Sequence, residues 1–139
     1  MRLQASSNSG SAKQVLSAIC LATDNVGDAV YIRGPRIGNY FQVTRINIDD
    51  PAAIPTFGLI IQKTDTTHCL VQIRGLLGNL YTGLIPNEPL FVGTDGRPTQ
   101  TLPPAPSSMI GRRCIQVLGH AVDTNMFYLD PRSPIIRVT

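Results

Sequence analysis

Turn-forming residues interrupt this chain so often that a long helix cannot form. Eleven prolines and twelve glycines are spread over 139 residues, and a proline inside a helix removes a hydrogen bond and clashes with the preceding turn. No amphipathic window longer than about two or three turns is left uninterrupted. Only Ala12 to Ala18 and Pro106 to Gly111 could make a single helical turn.

Nine short runs between the turn formers have the composition of β-strands. They are rich in Val, Ile, Phe, Tyr and Thr, and they read VLSAICLA, DAVYIRG, NYFQVTRINI, FGLIIQKT, HCLVQIRG, PLFVGT, RCIQVLGHAV, MFYLD and IIRVT. In HCLVQIRG, Cys69, Val71 and Ile73 share one face, which we expect to be buried, and the opposite face should be only partly exposed to solvent. We predict an all-β fold, a small β-barrel or sandwich, whose closure removes most strand edges.

Two pairs of segments indicate an internal repeat. Val26–Ile32 has the same pattern as Ile85–Phe91, 59 residues further on, and Leu59–Thr66 matches Val117–Thr124 at an offset of 58. An Asp-Thr pair forms the hairpin turn in both copies of the second match. We interpret the chain as two related βββ halves that are joined near residues 75–81 and close one common core. Residues 14–139 then form a single β-domain.

The N-terminal segment has a different composition. Residues 5–12, ASSNSGSA, are small and polar and cannot nucleate a core, so residues 1–13 are predicted to be a flexible arm that becomes ordered only against a partner. No signal-peptide pattern is present, and no apolar stretch approaches the roughly 20 residues of a membrane span. We expect a soluble protein that is made in the cytoplasm and has no membrane partner.

Charge is scarce and its type is informative. Charged residues make up 15% of the chain, against about 25% in average domains; a neutral surface suits packing against neighbours, although many small β-domains are simply poor in charge. Ten arginines accompany two lysines, and only Arg112 and Arg113 are adjacent. This is not a nucleic-acid footprint. Arginine does favour buried or interfacial ion pairs.

Cysteine and histidine do not form a reactive or metal-binding pattern. Cys20, Cys69 and Cys114 are far apart and each lies in an apolar run, so we expect buried, reduced thiols, with a disulfide between chains as the alternative. His68 neighbours Cys69, but adjacent residues of a strand point to opposite faces. His120 precedes no nucleophile motif.

The acidic residues and glycines are better explained by turns. The nine acids are scattered and lie mostly in turn sequences, where an Asp side chain bonds its own backbone. Asp49 and Asp50 precede Pro51 without a calcium-loop pattern, which favours a solvated loop tip. The glycines match no phosphate-binding loop. We therefore predict no catalytic residues, no cofactor-binding residues, no metal site and no cofactor.

Two apolar stretches occur where a connecting segment should be polar. They are Leu76 to Tyr81 and Thr101 to Ala105. Apolar loops in a β-protein either cover the core or form interfaces. Both roles remain open at this point.

The order of the elements from Val26 to Pro131 resembles a segment of tailed-phage structural proteins. The pattern runs from VGDAVYIRG through FGLIIQKTDTTHCLVQIRGLL and is most specific from Gly83 to Leu129, with GLIPNEPLFV followed by RRCIQVLGHAV and MFYLD. The segment is similar to capsid decoration (cement) proteins and to domains of phage fibres and appendages. Gly119-His120-Ala121 keeps the small-x-Ala feature of the pattern, whereas the first half has Ile61-Gln62-Lys63 in its place.

The resemblance implies a non-enzymatic β-barrel, commonly trimeric, on the outer surface of the virus capsid. Its partners would be the major capsid protein and further copies of itself, and nucleic acid would not be one. The alternative is a structural or receptor- or glycan-binding module of a phage fibre, collar or spike, which should expose aromatics around a groove; the chain has no Trp, four Tyr and four Phe. A third hypothesis, a small β-barrel hydrolase, lacks a reacting constellation.

Overall fold

A computed structural model describes residues 13–138, and the all-β prediction is confirmed for this part of the chain. It contains eleven strands and no α-helix. The strands are β1 (Gln14–Ile19), β2 (Ala29–Ile37), β3 (Tyr40–Arg45), β4 (Gly58–Lys63), β5 (His68–Gly78), β6 (Pro89–Val92), β7 (Pro98–Thr99), β8 (Arg112–Ile115), β9 (Val117–Asp123), β10 (Met126–Leu129) and β11 (Ile135–Val138). A 3-10 helix at Pro51–Ala53 follows Asp50, whose carboxylate accepts a hydrogen bond from the Ala52 N–H.

Strands β1 to β5 close into a five-stranded barrel. β1 pairs with β5 on one side and with β3 on the other, and the ring continues through β2 and β4 back to β5. Only the β1–β3 pair is parallel. Closure gives most barrel strands a partner on both sides, as the sequence predicted.

An outer sheet grows from the far end of β5. This strand is eleven residues long; β10 pairs with its last four residues, Gly75–Gly78, and β9, β6 and β7 follow in order. β8 and β11 form a separate two-stranded sheet. The predicted connection near residues 75–81 therefore needs correction, because residues 75–78 are the last part of β5, the strand that both sheets share.

Two hydrophobic clusters replace the single core that we expected. Sequence neighbours on β2 and β4 face different clusters: Val30 and Ile60 lie in the barrel interior, while Ala29 and Leu59 belong to the cluster beneath the outer sheet. The first residues of these two strands are buried on both faces because the outer sheet covers this part of the barrel wall. Burial on both faces explains why the apolar residues here are consecutive and do not alternate with polar ones.

Polar contacts tie the barrel to the outer sheet. Arg97 Nη1 lies 3.0 Å from Oδ1 of Asp28, which is 1% exposed, and the Tyr81 hydroxyl donates to the Gly27 carbonyl at 2.6 Å. Asp28 also accepts from the Asn25 N–H at 2.8 Å. The turn that leads into β2 is thus held by residues from the second half of the chain.

The repeat is visible in the backbone hydrogen bonds, at offsets different from those we predicted. The Gly27 N–H donates to the Ile60 carbonyl at 2.7 Å, and the Asn87 N–H donates to the Ala121 carbonyl at 2.8 Å. Asn87 lies 60 residues after Gly27, not 59, and Ala121 lies 61 residues after Ile60, not 58. The hairpin turn is also shorter in the second half, with two residues between β9 and β10 against four between β4 and β5, so an alignment of the turns does not align the strands. Asp-Thr does lie at the hairpin turn in both copies.

Most predicted strands are found, with two local differences. The run RCIQVLGHAV is divided at Gln116, whose side chain accepts from the Thr56 N–H and donates to the Arg132 carbonyl. β7 was missed because it has only two residues. Residues 12–18, which could have made a helical turn, are a strand from Gln14 onward, and this agrees with the predicted strand VLSAICLA.

Two further predictions concern local segments. A hydrogen-bonded turn is present within residues 106–111, where the Gly111 N–H donates to the Ser107 carbonyl at 2.8 Å. The predicted arm lies outside the described residues except for Lys13. In residues 13–138 no helix has the length and apolar character needed to span a membrane.

Candidate interaction surface

His68 lies beside an acid at the surface and not beside a thiol. Its Nδ1 is 2.9 Å from Oδ1 of Asp65, whose side chain is 61% exposed, and its ring meets the Tyr40 ring edge-on at 5.1 Å. The hydrogen bond from His68 lowers the pKa of Asp65. Asp65, His68 and Tyr40 line an open groove of about 300 Å³, together with Ser17. This pair is solvated, so it lacks the dry, preorganised surroundings in which an oriented imidazole becomes a strong catalyst.

All three cysteines are buried and unpaired within the chain, as predicted. Cys69 points into the barrel while the adjacent His68 side chain is partly exposed, which confirms that the two lie on opposite faces. Burial first, and then the nearby Cys20 thiol, raise the pKa of the Cys69 thiol to about 12. Burial also raises the pKa of Cys114. A nucleophilic thiol needs a lowered pKa, so neither group is activated.

His120 lies on the exposed face of the outer sheet. It is opposite Tyr128 on one side and Pro89 on the other, and Tyr128 is opposite Leu76 on β5. The His120 and Tyr128 rings are 6.4 Å apart. This row crosses four strands and makes a mixed apolar and aromatic face.

The acids follow the turn interpretation with one correction. Asp65, Asp95 and Asp123 each accept a hydrogen bond from a backbone N–H one or two residues further on. Asp49 is not a solvated loop tip, because Arg113 pairs with both of its oxygens at 2.7 and 3.2 Å. Among the described residues no group of three or more His, Cys, Asp or Glu side chains could hold a metal ion.

Arginines fix the irregular loop before β8. Arg113 is only 9% exposed at its side chain, and Asp49 raises its pKa by accepting its hydrogen bonds. The Arg113 Nη1 also donates to the Pro104 carbonyl at 3.0 Å, and the Arg137 Nη1 donates to the Pro103 carbonyl at 2.9 Å. The expectation that arginine serves buried ion pairs is confirmed at Arg113, whereas Arg97 is itself partly exposed and pairs with the buried Asp28.

The two apolar stretches have different roles. In the first, Leu77 is buried and Leu80 and Tyr81 pack against the outer cluster, so it mainly covers the core, although Leu76 is 44% exposed. In the second, Pro103 is buried, but Leu102 is 49% exposed. The second stretch thus contributes to the surface.

The three most exposed large apolar side chains of residues 13–138 lie close to this second stretch, on β11 and on the turn before β8. With their neighbours Ile110 and Ile136 they form a group that we call the tail surface, defined by Met109, Ile110, Ile135, Ile136 and Val138. Met109 is 96% exposed, Ile135 69% and Val138 64%. Val138 is opposite Arg112, which follows the turn, so the two segments are neighbours. Sequence reasoning identified IIRVT as a strand but did not find this surface, because an apolar run looks the same whether it is buried or exposed.

β11 also has an open edge. It pairs with β8 on one side, and in residues 13–138 no strand pairs with its other side. An exposed apolar strand with free backbone N–H and C=O groups is a template for a further strand or for an apolar partner surface. The tail surface is therefore the strongest candidate for contact with another protein.

Comparison of the chain with family models, with curated protein sequences and with solved structures gives no match.

Proposed function

We propose that this protein decorates the outside of a virus capsid, where it binds the lattice of the major capsid protein as a trimer and stabilises the head without catalysing a reaction. The observation that carries the proposal is the tail surface: an apolar strand, open at one edge and more than half exposed at Ile135 and Val138. The resemblance of residues 26–131 to phage structural proteins supports the same role.

The architecture suits a protein whose surface is bound by neighbouring subunits. The loop beside the tail surface is held by arginine bonds to the Pro103 and Pro104 carbonyls, so that docking there orders little additional chain. Each contact with the capsid is small, but the three copies of a trimer would bind the capsid at the same time. Linked contacts gain effective concentration, so modest affinity per site gives lasting attachment. A threefold assembly also matches a threefold or quasi-threefold site of a lattice.

Copy number in purified virus particles tests the class of protein. We expect on the order of hundreds of copies per particle when peptides are quantified by mass spectrometry, because a symmetric capsid lattice repeats each binding site many times. A handful of copies would replace the proposal with the fibre, collar or spike module. Complete absence from the particle would overturn both.

Site-directed variants test the surface. The double variant Ile135→Ser/Val138→Ser should lower capsid occupancy by about tenfold or more, since each tenfold corresponds to about 1.4 kcal/mol of lost contact energy. The matched control is Leu76→Ser/Val122→Ser, because these residues are 44% and 43% exposed on the outer sheet. Equal losses in both variants would exclude the tail surface as the contact.

Removal of residues 1–13 should also weaken capsid occupancy without unfolding the barrel. Unchanged occupancy would show that this segment does not contribute to capsid binding.

A further inference from the structure

The barrel closes incompletely where β1 meets β3. β1 pairs with β5 along its whole length, but with β3 only through Ala18 and Ile19. On the β3 side, residues 14–17 have no strand partner among the described residues. They present backbone N–H and C=O groups to whatever lies beside them.

A groove occupies the space that a further strand would fill. Its volume is about 570 Å³, within the roughly 300–1,000 Å³ of typical ligand pockets. Six side chains that line it are those of Val15, Leu16, Ser17, Ile37, Tyr40 and Phe41. We call it the seam groove. Ile37 is 55% exposed and Tyr40 39%, so apolar surface here is left open to an occupant.

The β2–β3 hairpin, whose tip at Ile37 to Phe41 lines the seam groove, is positively charged. Residues 29–45, which form β2, β3 and their turn, contain three arginines and no acid. Arg36 lies over the Phe41 ring at 5.4 Å, and the Arg33 Nε donates to the Val43 carbonyl at 3.1 Å. Among the ion pairs of the described residues, neither arginine has a carboxylate partner. Asp65 lies on the Tyr40 side of the groove, where it is bonded to His68.

We infer that the seam groove binds an extended acidic segment of a partner polypeptide, which adds to β1 as a strand and places carboxylates against Arg33 and Arg36. Strand addition explains the free β1 edge, and alternate side chains of the added strand supply apolar contacts to Ile37 and Tyr40. Arginine forms strong charge-assisted bonds with carboxylates. This inference does not depend on the capsid proposal.

The chain's own segments fit the groove poorly. Residues 1–12 contain Arg2 and no acid, so their charge has the wrong sign. The acids of a second copy lie mostly in turns, where Asp50, Asp65 and Asp95 already accept hydrogen bonds from nearby backbone N–H groups. The occupant that matches the charge is therefore a segment of a different polypeptide.

A designed peptide tests the inference with the full-length chain. The probe is a fluorescein-labelled peptide of alternating glutamate and valine, nine residues in total by design, whose carboxylates share one face when it is extended. Fluorescence anisotropy should show saturable binding, and the double variant Arg33→Gln/Arg36→Gln should weaken it by about tenfold, or about 1.4 kcal/mol. The matched control Arg112→Gln/Arg132→Gln removes two exposed arginines elsewhere and should change the affinity by less than about twofold.

Further probes separate strand addition from simple charge attraction. The same peptide with N-methylated alternate residues cannot complete the backbone ladder and should bind at least about tenfold more weakly. Hydrogen exchange should slow at amides within residues 14–17 when the unmodified peptide is bound. Equal binding of the methylated peptide, of a lysine–valine peptide or of oligothymidylate would overturn the inference, as would no binding by the glutamate–valine peptide. Capsid occupancy is a separate measurement, so failure here is distinguishable from failure of the proposed function.

Discussion

The turn at Asn25–Asp28 and the turn at Ile85–Glu88 are the same backbone device in two surroundings. The last N–H of each donates to the first carbonyl, at 3.1 and 3.2 Å, and the third residue has a positive φ, 95° at Gly27 and 70° at Asn87. Each turn then bonds to a partner strand in the same way: Ile60 and Ala121 donate to Asp28 and Glu88 at 3.0 Å. A positive φ at the third residue is typical of a type II turn.

The difference between the two turns lies in what covers them. The second half of the chain covers the last two residues of the first turn, with Asp28 bonded to Arg97 and the Gly27 carbonyl bonded to Tyr81. The second is exposed, and its carbonyls at Ile85 and Glu88 accept from the Gln100 side-chain amide. The first copy therefore supports the join between the two sheets, while the second leaves its strands on an open outer face. Substitutions at matched positions should separate these roles.

Asp28→Ala should have the largest effect on stability. It removes a carboxylate that is 1% exposed and that accepts from both Asn25 and Arg97, and loss of one partner from a buried pair costs about 3–5 kcal/mol. We expect the low end, because the Arg97 side chain is 39% exposed and can reach water. Urea unfolding measures the change.

The matched variant is Glu88→Ala, at the equivalent position of the exposed turn. It should change the free energy of unfolding by less than about 0.5 kcal/mol, as is usual for surface positions. If the two variants lost equal stability, the distinction between a buried and an exposed copy would be wrong.

Gly27→Ala should have the second largest effect. At φ 95° a Cβ atom would lie 2.5 Å from Nη2 of Arg97, so the substitution both strains the backbone and displaces the guanidinium from Asp28. We expect a loss of about 2 kcal/mol, within the range for strained backbone positions. Asn87→Ala is the control and should cost less than about 1 kcal/mol, since Asn already carries a Cβ at this φ. A larger loss at Asn87 would contradict the assignment.

Much of the fold followed from local patterns, but the register of the repeat did not. Turn chemistry and β-branched runs were enough to locate nine runs that contain ten of the eleven strands, because each signal is contained within a few residues. The offset of 59 laid Tyr31 on Leu90, whereas the hydrogen bonds at Gly27 and Asn87 place Tyr31 level with Phe91. A shift of one residue exchanges the two faces of a strand. Only pairing with the partner strand fixes it.

The candidate surfaces were harder to predict than the strands. Whether Ile135 and Val138 are buried depends on how many strands cover β11, which is decided by segments distant in sequence. The ion pair of Asp49 with Arg113 joins residues 64 positions apart, so Asp49 could only be described as part of a loop. Sequence indicated that arginines would serve ion pairs without indicating which acid each would meet.

Tyr81→Phe should have a smaller effect, confined to the buried turn. The hydroxyl donates to the Gly27 carbonyl at 2.6 Å, and loss of one such bond costs about 1–1.5 kcal/mol. Tyr40→Phe, in an exposed ring beside His68, should leave the free energy of unfolding nearly unchanged. Chemical denaturation of both variants makes the comparison, and a loss at Tyr40 as large as that at Tyr81 would mean that the Gly27 bond contributes nothing specific.

The smallest expected effect compares the two hydrophobic clusters through their thiols. The pKa of Cys69, in the barrel, is raised from 9.0 to about 12, and that of Cys114, in the outer cluster, is raised in the same direction. A raised thiol pKa means that above about pH 9 the unfolded chain releases a proton that the folded chain keeps, so stability is full below this pH and falls above it.

We therefore expect Cys69 to lower the free energy of unfolding by roughly 1 kcal/mol between about pH 8 and about pH 10, and Cys114 to act in the same direction. Cys69→Ala should lower stability at neutral pH by leaving a small cavity in the barrel, and it should also flatten the decline toward alkaline pH. Cys114→Ala should flatten it less, because the pKa of Cys69 is raised by the neighbouring Cys20 thiol in addition to burial. Identical alkaline slopes in the wild type and both variants would show that the barrel interior does not oppose thiol ionisation, and the contrast between the two clusters would then reduce to packing alone.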